Sequence, residues 1–336
     1  MRPKRSYLPA LALFLLSPIV GELLSGSSPP LEFLNPIGFA FMAGLYGCGA
    51  VIIRELAMRW NKGWTSILVM GVAYGIIEEG LMVKSFFDPN WVDIGVLGSY
   101  GRFAGVNWVW STELAIYHAV FSIAIPILLI TLLFREDSGR RWVSDRTLKM
   151  LFGVLALDVA LGPLFLTPYV PEPQNFLLAL AMVFALFVLV YALPRHYFLP
   201  RDVPVPRPGR FLALGAFFSS TFFLTLWVLS ATGVNPLVPI ALVLLLSWYC
   251  FSTVKRWSGN GAQWQPRHQL ALASGALSFL ILFTFLHELG GGGMSGMSVV
   301  GMAFILFLSW LWRGLPSTED IEPKSHPWGI PPPDFR

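Results

Sequence analysis

The chain has 336 residues, 55% of them hydrophobic and only 12% charged, with a formal net charge of +4. Soluble domains carry roughly twice that share of Asp, Glu, Lys and Arg. The composition therefore excludes a water-soluble globule, and apolar runs recurring along the whole length indicate a polytopic membrane protein with the lipid bilayer as its first partner. The positive balance is no nucleic-acid signal, because the charges sit in short loops between the runs.

The N-terminus, MRPKRSYLPALALFLLSPIVGELL, has the basic start and apolar stretch of a signal peptide. It lacks a small-x-small cleavage site at the right distance, and Glu22 interrupts the end of the run, so it reads as a retained first helix. Further apolar segments follow, and the full set falls at about 8–24, 37–57, 65–87, 109–134, 149–169, 176–193, 211–233, 237–252, 269–287 and 298–312. Each is long enough, or nearly so, to cross about 30 Å of hydrocarbon at 1.5 Å per residue. The expectation is an all-α polytopic transmembrane helix bundle of about ten helices, since lipid satisfies no backbone polar group. Cys48 and Cys250 fall inside apolar segments and read as small buried hydrophobes.

Basic residues then orient the spans. With the N-terminus in the cytoplasm and ten alternating crossings, all Lys and Arg except Lys84 and Arg102 fall on the inner side. Both termini are then cytoplasmic, in a plasma membrane of prokaryotic type. Several tryptophans, Trp110 and Trp142 among them, fit as interface anchors. Residues 1–194 form a six-span region carrying the polar site. The Pro-rich basic stretch 195–210 reads as a cytoplasmic hinge, 211–313 as four more spans, and 314–336 as a disordered cytoplasmic tail. The long outer loop 88–110, rich in Trp, Gly and Val, reads as an interfacial segment or as a lid over a cavity.

An ionisable side chain deep in a bilayer costs roughly 2.5–3.5 kcal/mol on insertion scales, and is tolerated facing the bundle interior with a partner. In YGIIEEGLMVKSFF, residues 74–87, Glu79 lies eight residues from the outer end of its predicted span, roughly 12 Å down. His118 lies nine residues from the outer end of the next span, roughly 13 Å down. Consecutive helices pack antiparallel, so Glu78, Glu79 and His118 can meet at one level. Gly71, Gly75 and Glu79 share a face, and the glycines let a neighbour approach closely. Ser122 shares a face with His118. Glu113, Asp158, Ser122 and Lys84 are the expected supporting residues; Glu22, His287 and Glu288 lie near the outer boundary. Arg54 and Glu55, near the inner end of the second span, read as interfacial or as a local ion pair.

Carboxylate and imidazole suit zinc, with Glu79 and His118 as ligands and a further Glu as general base. The pair Glu78–Glu79, the later His118, and Phe283 with His287 in a Phe-x-x-x-His spacing together resemble the CAAX-protease and bacteriocin-processing family of intramembrane proteases. That resemblance implies a metal-dependent intramembrane hydrolase acting on a membrane-embedded peptide or small molecule. The chain differs from the family pattern at Val83, where the family has Arg, and at Ser122, where it has Asn or Asp. Two other classes fit the same residues: a proton- or cation-coupled transporter, and a non-catalytic assembly or lipid-interacting protein in which the cluster joins helices.

Overall fold

A computed structural model describes residues 7–194 and 201–316 of the chain. Among these residues, nine helices are long and apolar enough to cross a membrane, and Leu8–Leu23 is a shorter apolar helix. In chain order they are α1 (Leu8–Leu23), α2 (Pro36–Arg59), α3 (Trp64–Met82), α4 (Trp108–Leu133), α5 (Asp145–Phe165), α6 (Pro173–Ala192), α7 (Pro208–Leu229), α8 (Leu237–Trp257), α9 (Pro266–Gly290) and α10 (Met297–Gly314). The all-α polytopic bundle is therefore as the hydropathy pattern predicts. The boundaries shift by a few residues, most at the ends of two helices: α3 ends at Met82, short of 87, and α8 continues to Trp257. The tail beyond residue 316 and part of the hinge, 195–200, lie outside the described residues.

Local sequence sets the helix starts. Proline opens α2, α6, α7 and α9, where its missing N–H costs nothing. Asn35 caps α2 by accepting from the Ile37 and Gly38 amides, Asn107 caps α4 through the Trp110 amide at 3.0 Å, and Ser144 caps α5 through that of Thr147 at 3.1 Å.

Five helical stretches widen into π turns: Ile19–Leu23, Ala43–Gly47, Ile77–Met82, His118–Ala124 and Thr225–Leu229. One has a clear covalent cause. Pro126 has no N–H to give the Ser122 carbonyl, four residues back. That carbonyl instead accepts the Ser17 hydroxyl at 2.7 Å, which ties α1 to α4.

The helices divide by burial. In α3 and α4, 72% and 78% of the apolar window is covered by protein, against 28% in α5 and 22% in α6. α4 is the central element. Its Tyr117, Phe121 and Leu128 pack into a core with α7, α8 and α9, while its Ile123, Ile127 and Ile130 pack with α1, α2 and α3. Small residues permit the close crossings. A methyl added at Gly71 would sit 2.6 Å from the Ala119 Cα, and one at Gly75 would sit 3.2 Å from the Ala115 Cα. The α7–α9 crossing is equally tight, since a methyl on Gly215 would lie 2.7 Å from the Ala276 amide nitrogen.

Residues 83–107, between α3 and α4, form a folded cap. A short hairpin pairs β1 (Arg102–Phe103) with β2 (Val106–Asn107). Its two-residue turn has Ala104 and Gly105 both at positive φ, which matches the twist of the strands. Phe86, Phe87, Ile94, Leu97 and Val106 are buried beneath it, and Asn107 Nδ2 donates to the Leu97 carbonyl at 2.5 Å. Of the expected interface tryptophans, Trp142 is instead 1% exposed, beneath the Arg54 guanidinium.

Candidate functional site

Glu78 and Glu79 lie in the π turn that ends α3, and His118 opens the π turn in α4. Because α3 stops at Met82, Glu79 is three residues from the helix end, not the eight that the sequence arithmetic used. The levels still match because the cap stacks above α3: the Asn107 amide donates to the Phe86 carbonyl at 2.8 Å, so α4 begins beside residue 86. All three side chains are buried.

The geometry is close. His118 Nε2 lies 3.0 Å from Glu79 Oε1, and Nδ1 lies 3.1 Å from Ser122 Oγ and 3.3 Å from Glu78 Oε2. Adjacent residues on a helix diverge, yet both glutamates reach this one ring, each at a different nitrogen. π turns inside α-helices are found frequently at functional sites, and here Glu79 of one meets His118, which opens another. Donor atoms from Glu78, Glu79 and His118 all lie within 4.8 Å of one another.

The surroundings fix Glu79 more firmly than Glu78. The Ser85 hydroxyl donates to Glu79 Oε2, and Trp110 Nε1 donates to Ser85 Oγ at 3.0 Å. Both Glu79 oxygens are therefore engaged. Glu78 Oε2 is buried and accepts no hydrogen bond. Three tyrosine rings flank the imidazole, with centroids 5.9 Å away for Tyr46, 5.9 Å for Tyr74 and 5.4 Å for Tyr117.

The expected supporting residues separate. Ser122 does hold the His118 ring. Glu113 turns away, taking a hydrogen bond from Trp227 Nε1 of α7 at 3.1 Å. Glu113 and His118 are five residues apart, and that spacing puts them on different sides of α4. Asp158 packs against Gly44 of α2, with Oδ2 unpartnered, outside the cluster. Lys84 does not pair with either glutamate. It sits at φ +62°, past the end of α3, and its ammonium reaches the Tyr169 carbonyl at 2.5 Å. Burial pulls that ammonium below the ordinary lysine range, and the Asp88 carboxylate opposes the shift. His287 stacks edge-on against Phe283 at 4.3 Å and lies beside Gly26, apart from His118.

Sequence reasoning placed Glu22 at the outer boundary, apart from the cluster, and missed Tyr46, Tyr74, Tyr117 and Ser85. Glu22 accepts from the Tyr46 hydroxyl and from Ser28 Oγ, the latter at 2.9 Å. Tyr117 donates to the Gly21 carbonyl at 2.7 Å, bringing the π turn of α1 against the site. The residue spacing of these π turns carries the signal only in part: Glu22 interrupts an apolar run visibly, while the tyrosines do not.

Two carboxylates and one imidazole with donor atoms within 4.8 Å of one another are of the types that zinc takes, with Glu79 at Nε2 and Glu78 at Nδ1 of the ring. The orphaned Glu78 oxygen fits the same chemistry. No curated protein and no solved structure matches the chain. The chain does match a family model over residues 11–289, a stretch that contains every residue of the cluster, and it thus belongs to an uncharacterized membrane protein family.

Proposed function

We propose that the protein is a metal-dependent hydrolase of a plasma membrane, acting on a membrane-embedded peptide or small molecule, with both termini cytoplasmic and the site in the outer half. One observation carries the reading. Glu78, Glu79 and His118 are buried with donor atoms within 4.8 Å, and one of those atoms, Glu78 Oε2, has no hydrogen bond.

Glu79 Oε1 and His118 Nε2 would hold the metal, for which zinc suits the donors. When bound, zinc would supply Lewis acidity and lower the pKa of a coordinated water. Ser122 at Nδ1 sets the ring's orientation and tautomer, the outer-shell contact that metal-binding histidines use. Ser85 and Trp110 fix the Glu79 carboxylate in the same way. Glu78, with a free oxygen beside the ring, takes the proton of the attacking water. The tyrosine rings and the cap keep bulk water out, which strengthens every charge interaction inside.

Metal analysis of protein purified without chelators tests the reading. One zinc per chain is expected, lost in Glu79→Ala and in His118→Ala. Glu78→Gln should keep the metal and lose at least about 100-fold in turnover of a membrane-peptide substrate, the usual worth of a general base. Protein free of zinc under those conditions would remove the mechanism.

A second reading rests on charge. Glu22, Glu78 and Glu79 set three carboxylates against one imidazole, and no Lys or Arg contacts them among the described residues. A proton- or cation-coupled transporter would use that excess. Proteoliposome flux abolished by Glu79→Gln in metal-free protein would favour it.

A further inference from the structure

We propose that Asp158 is a docking site for a cation carried within the membrane, the Lys or Arg side chain of a transmembrane peptide that lies against α5. The proposal deepens the hydrolase reading by naming its substrate class, and it rests on that reading only for what happens after docking.

The carboxyl has no structural employment. Asp158 lies seven residues from the end of α5 at Phe165, roughly 10 Å inside the span at 1.5 Å per residue. Its Oδ2 is buried with no hydrogen-bond partner. None of the ion pairs among the described residues includes it. Pro163 of the same helix frees the Val159 carbonyl, but Asp158 Oδ2 does not bond to it. An ionised group in hydrocarbon is costly without a partner, and such residues mark functional sites for that reason. The partner that this one lacks is positive.

The seam between α2 and α5 makes room for the carboxyl and leaves it open to lipid. Gly44 lies in the π turn of α2, and a methyl there would overlap Asp158 Oδ2, so only the missing side chain admits the group. Leu155 and Gly162, three residues before Asp158 and four after, are buried against the bundle. Val154, Leu157 and Phe165 of the same helix are exposed. Asp158 is half-buried at that border. Only 28% of the apolar window of α5 is covered by protein, which leaves a face on which a further helix can lie.

Charge and register fix the occupant. A Lys or Arg stem runs along apolar surface while its head reaches a polar partner, and Val154 and Leu157 supply that surface beside Asp158. Pairing the two charges relieves the cost that each carries alone in the membrane. A second copy of this chain has no such cation to offer at that depth. Among the described residues, the basic side chains within its spans lie toward the opposite end, where Arg59 meets Asp145 at the start of α5. The register leads to the cluster. Gly162, one turn beyond Asp158, is the α5 residue set against Met82, which ends the π turn holding Glu78 and Glu79. A peptide held by its cation at Asp158 therefore extends along α5 past the turn that carries the site.

Binding of synthetic transmembrane peptides to the full chain, followed by energy transfer in nanodiscs of zwitterionic lipid, tests the proposal. One peptide carries a single Lys near mid-span. Its control carries Leu there, a change that leaves the protein untouched. Wild type should bind the Lys peptide roughly tenfold tighter than the Leu peptide, the scale of one polar contact between membrane helices. Asp158→Asn should bind both alike, and Asp158→Glu should restore part of the preference. Equal affinity of wild type for the two peptides, or a Lys preference that survives in Asp158→Asn, would overturn the proposal. So would an Asp158-dependent dimer of the chain with no peptide preference, which would put a second copy on the seam. Cleavage by the same samples, loaded with zinc, reports separately. Asp158-dependent docking without cleavage leaves the docking site standing and removes the hydrolase; cleavage indifferent to Asp158 does the reverse.

Discussion

α2 links two buried charge clusters that differ in kind. Near its end, Glu55 accepts Arg54 Nη1 at 2.6 Å, the Arg59 guanidinium and the Trp142 amide at 2.8 Å. Arg54 Nη2 donates to the Ser138 carbonyl at 2.8 Å while the guanidinium stacks 3.6 Å above Trp142; Arg59 reaches Asp145 at 3.0 Å and the Val143 carbonyl at 3.1 Å. Two cations meet two anions, and both Glu55 oxygens are bonded. Nine residues earlier, Tyr46 of the same helix enters a cluster with three carboxylates, one histidine and an orphaned oxygen. The saturated cluster clamps the 135–145 loop onto α2. The unsaturated one leaves Glu78 Oε2 buried without a hydrogen bond, the feature on which the proposed cation site rests.

The sharpest way to break this contrast is Glu55→Ala. It leaves Arg54 and Arg59 buried without their carboxylate, a change worth about 3–5 kcal/mol of stability in buried pairs. Unfolding in lipid bicelles should register that loss, with zinc binding at the proposed ligands Glu79 and His118 still measurable. A small effect would mean that the basic-side network is no clamp.

Gly71→Leu probes the second cluster through packing alone. A methyl there would already sit 2.6 Å from Ala119, and overpacking costs about 1–3 kcal/mol. The larger consequence is for the site. Forcing α3 from α4 separates Glu79 from His118, so zinc affinity should fall further than stability does. Equal losses would show that the cluster follows the helices passively. Glu78→Gln should go the other way. Replacing one of three crowded buried carboxyl groups in metal-free protein should stabilise it by about 0.5–2 kcal/mol, the usual gain when a functional compromise is relieved. Glu55→Gln, by contrast, should destabilise.

Much of this was legible in the sequence, and the remainder was not, for physical reasons. Spans follow from hydropathy because the bilayer admits little else. Glu78, Glu79 and His118 were identifiable because charge in an apolar run is costly and depth can be counted. Ser85 was hidden because hydropathy carried the third span through to Phe87, whereas the chain leaves the helix at Met82 and folds back. Tyr46, Tyr74 and Tyr117 carry no signal, since tyrosine in a membrane protein reads as an interface anchor. Glu113 and Asp158 share the membrane with the site, but depth says nothing of which side of a helix a residue occupies. The π turns shift that facing by one residue, and only Pro126 marks one of them in advance.

Glu113 supplies the smallest and most selective prediction. Its carboxylate is held by Trp227, and its second oxygen has no partner. This hydrogen bond joins α4 to α7, so it crosses between the half of the bundle that holds the cluster and the half that does not. Trp227→Phe keeps much of the stacking with Phe223 and Phe283, at 5.2 and 5.1 Å, and removes only the donor. Interhelical hydrogen bonds in membranes are worth about 0.6 kcal/mol on average, so the unfolding midpoint should fall slightly. Glu113→Leu combined with Trp227→Phe should recover that loss, because no buried carboxylate is left unpaired. Zinc affinity at Glu79 and His118 should be unchanged in both variants. A loss of affinity would mean that the α4–α7 tie sets the position of His118, joining the two halves into one functional unit.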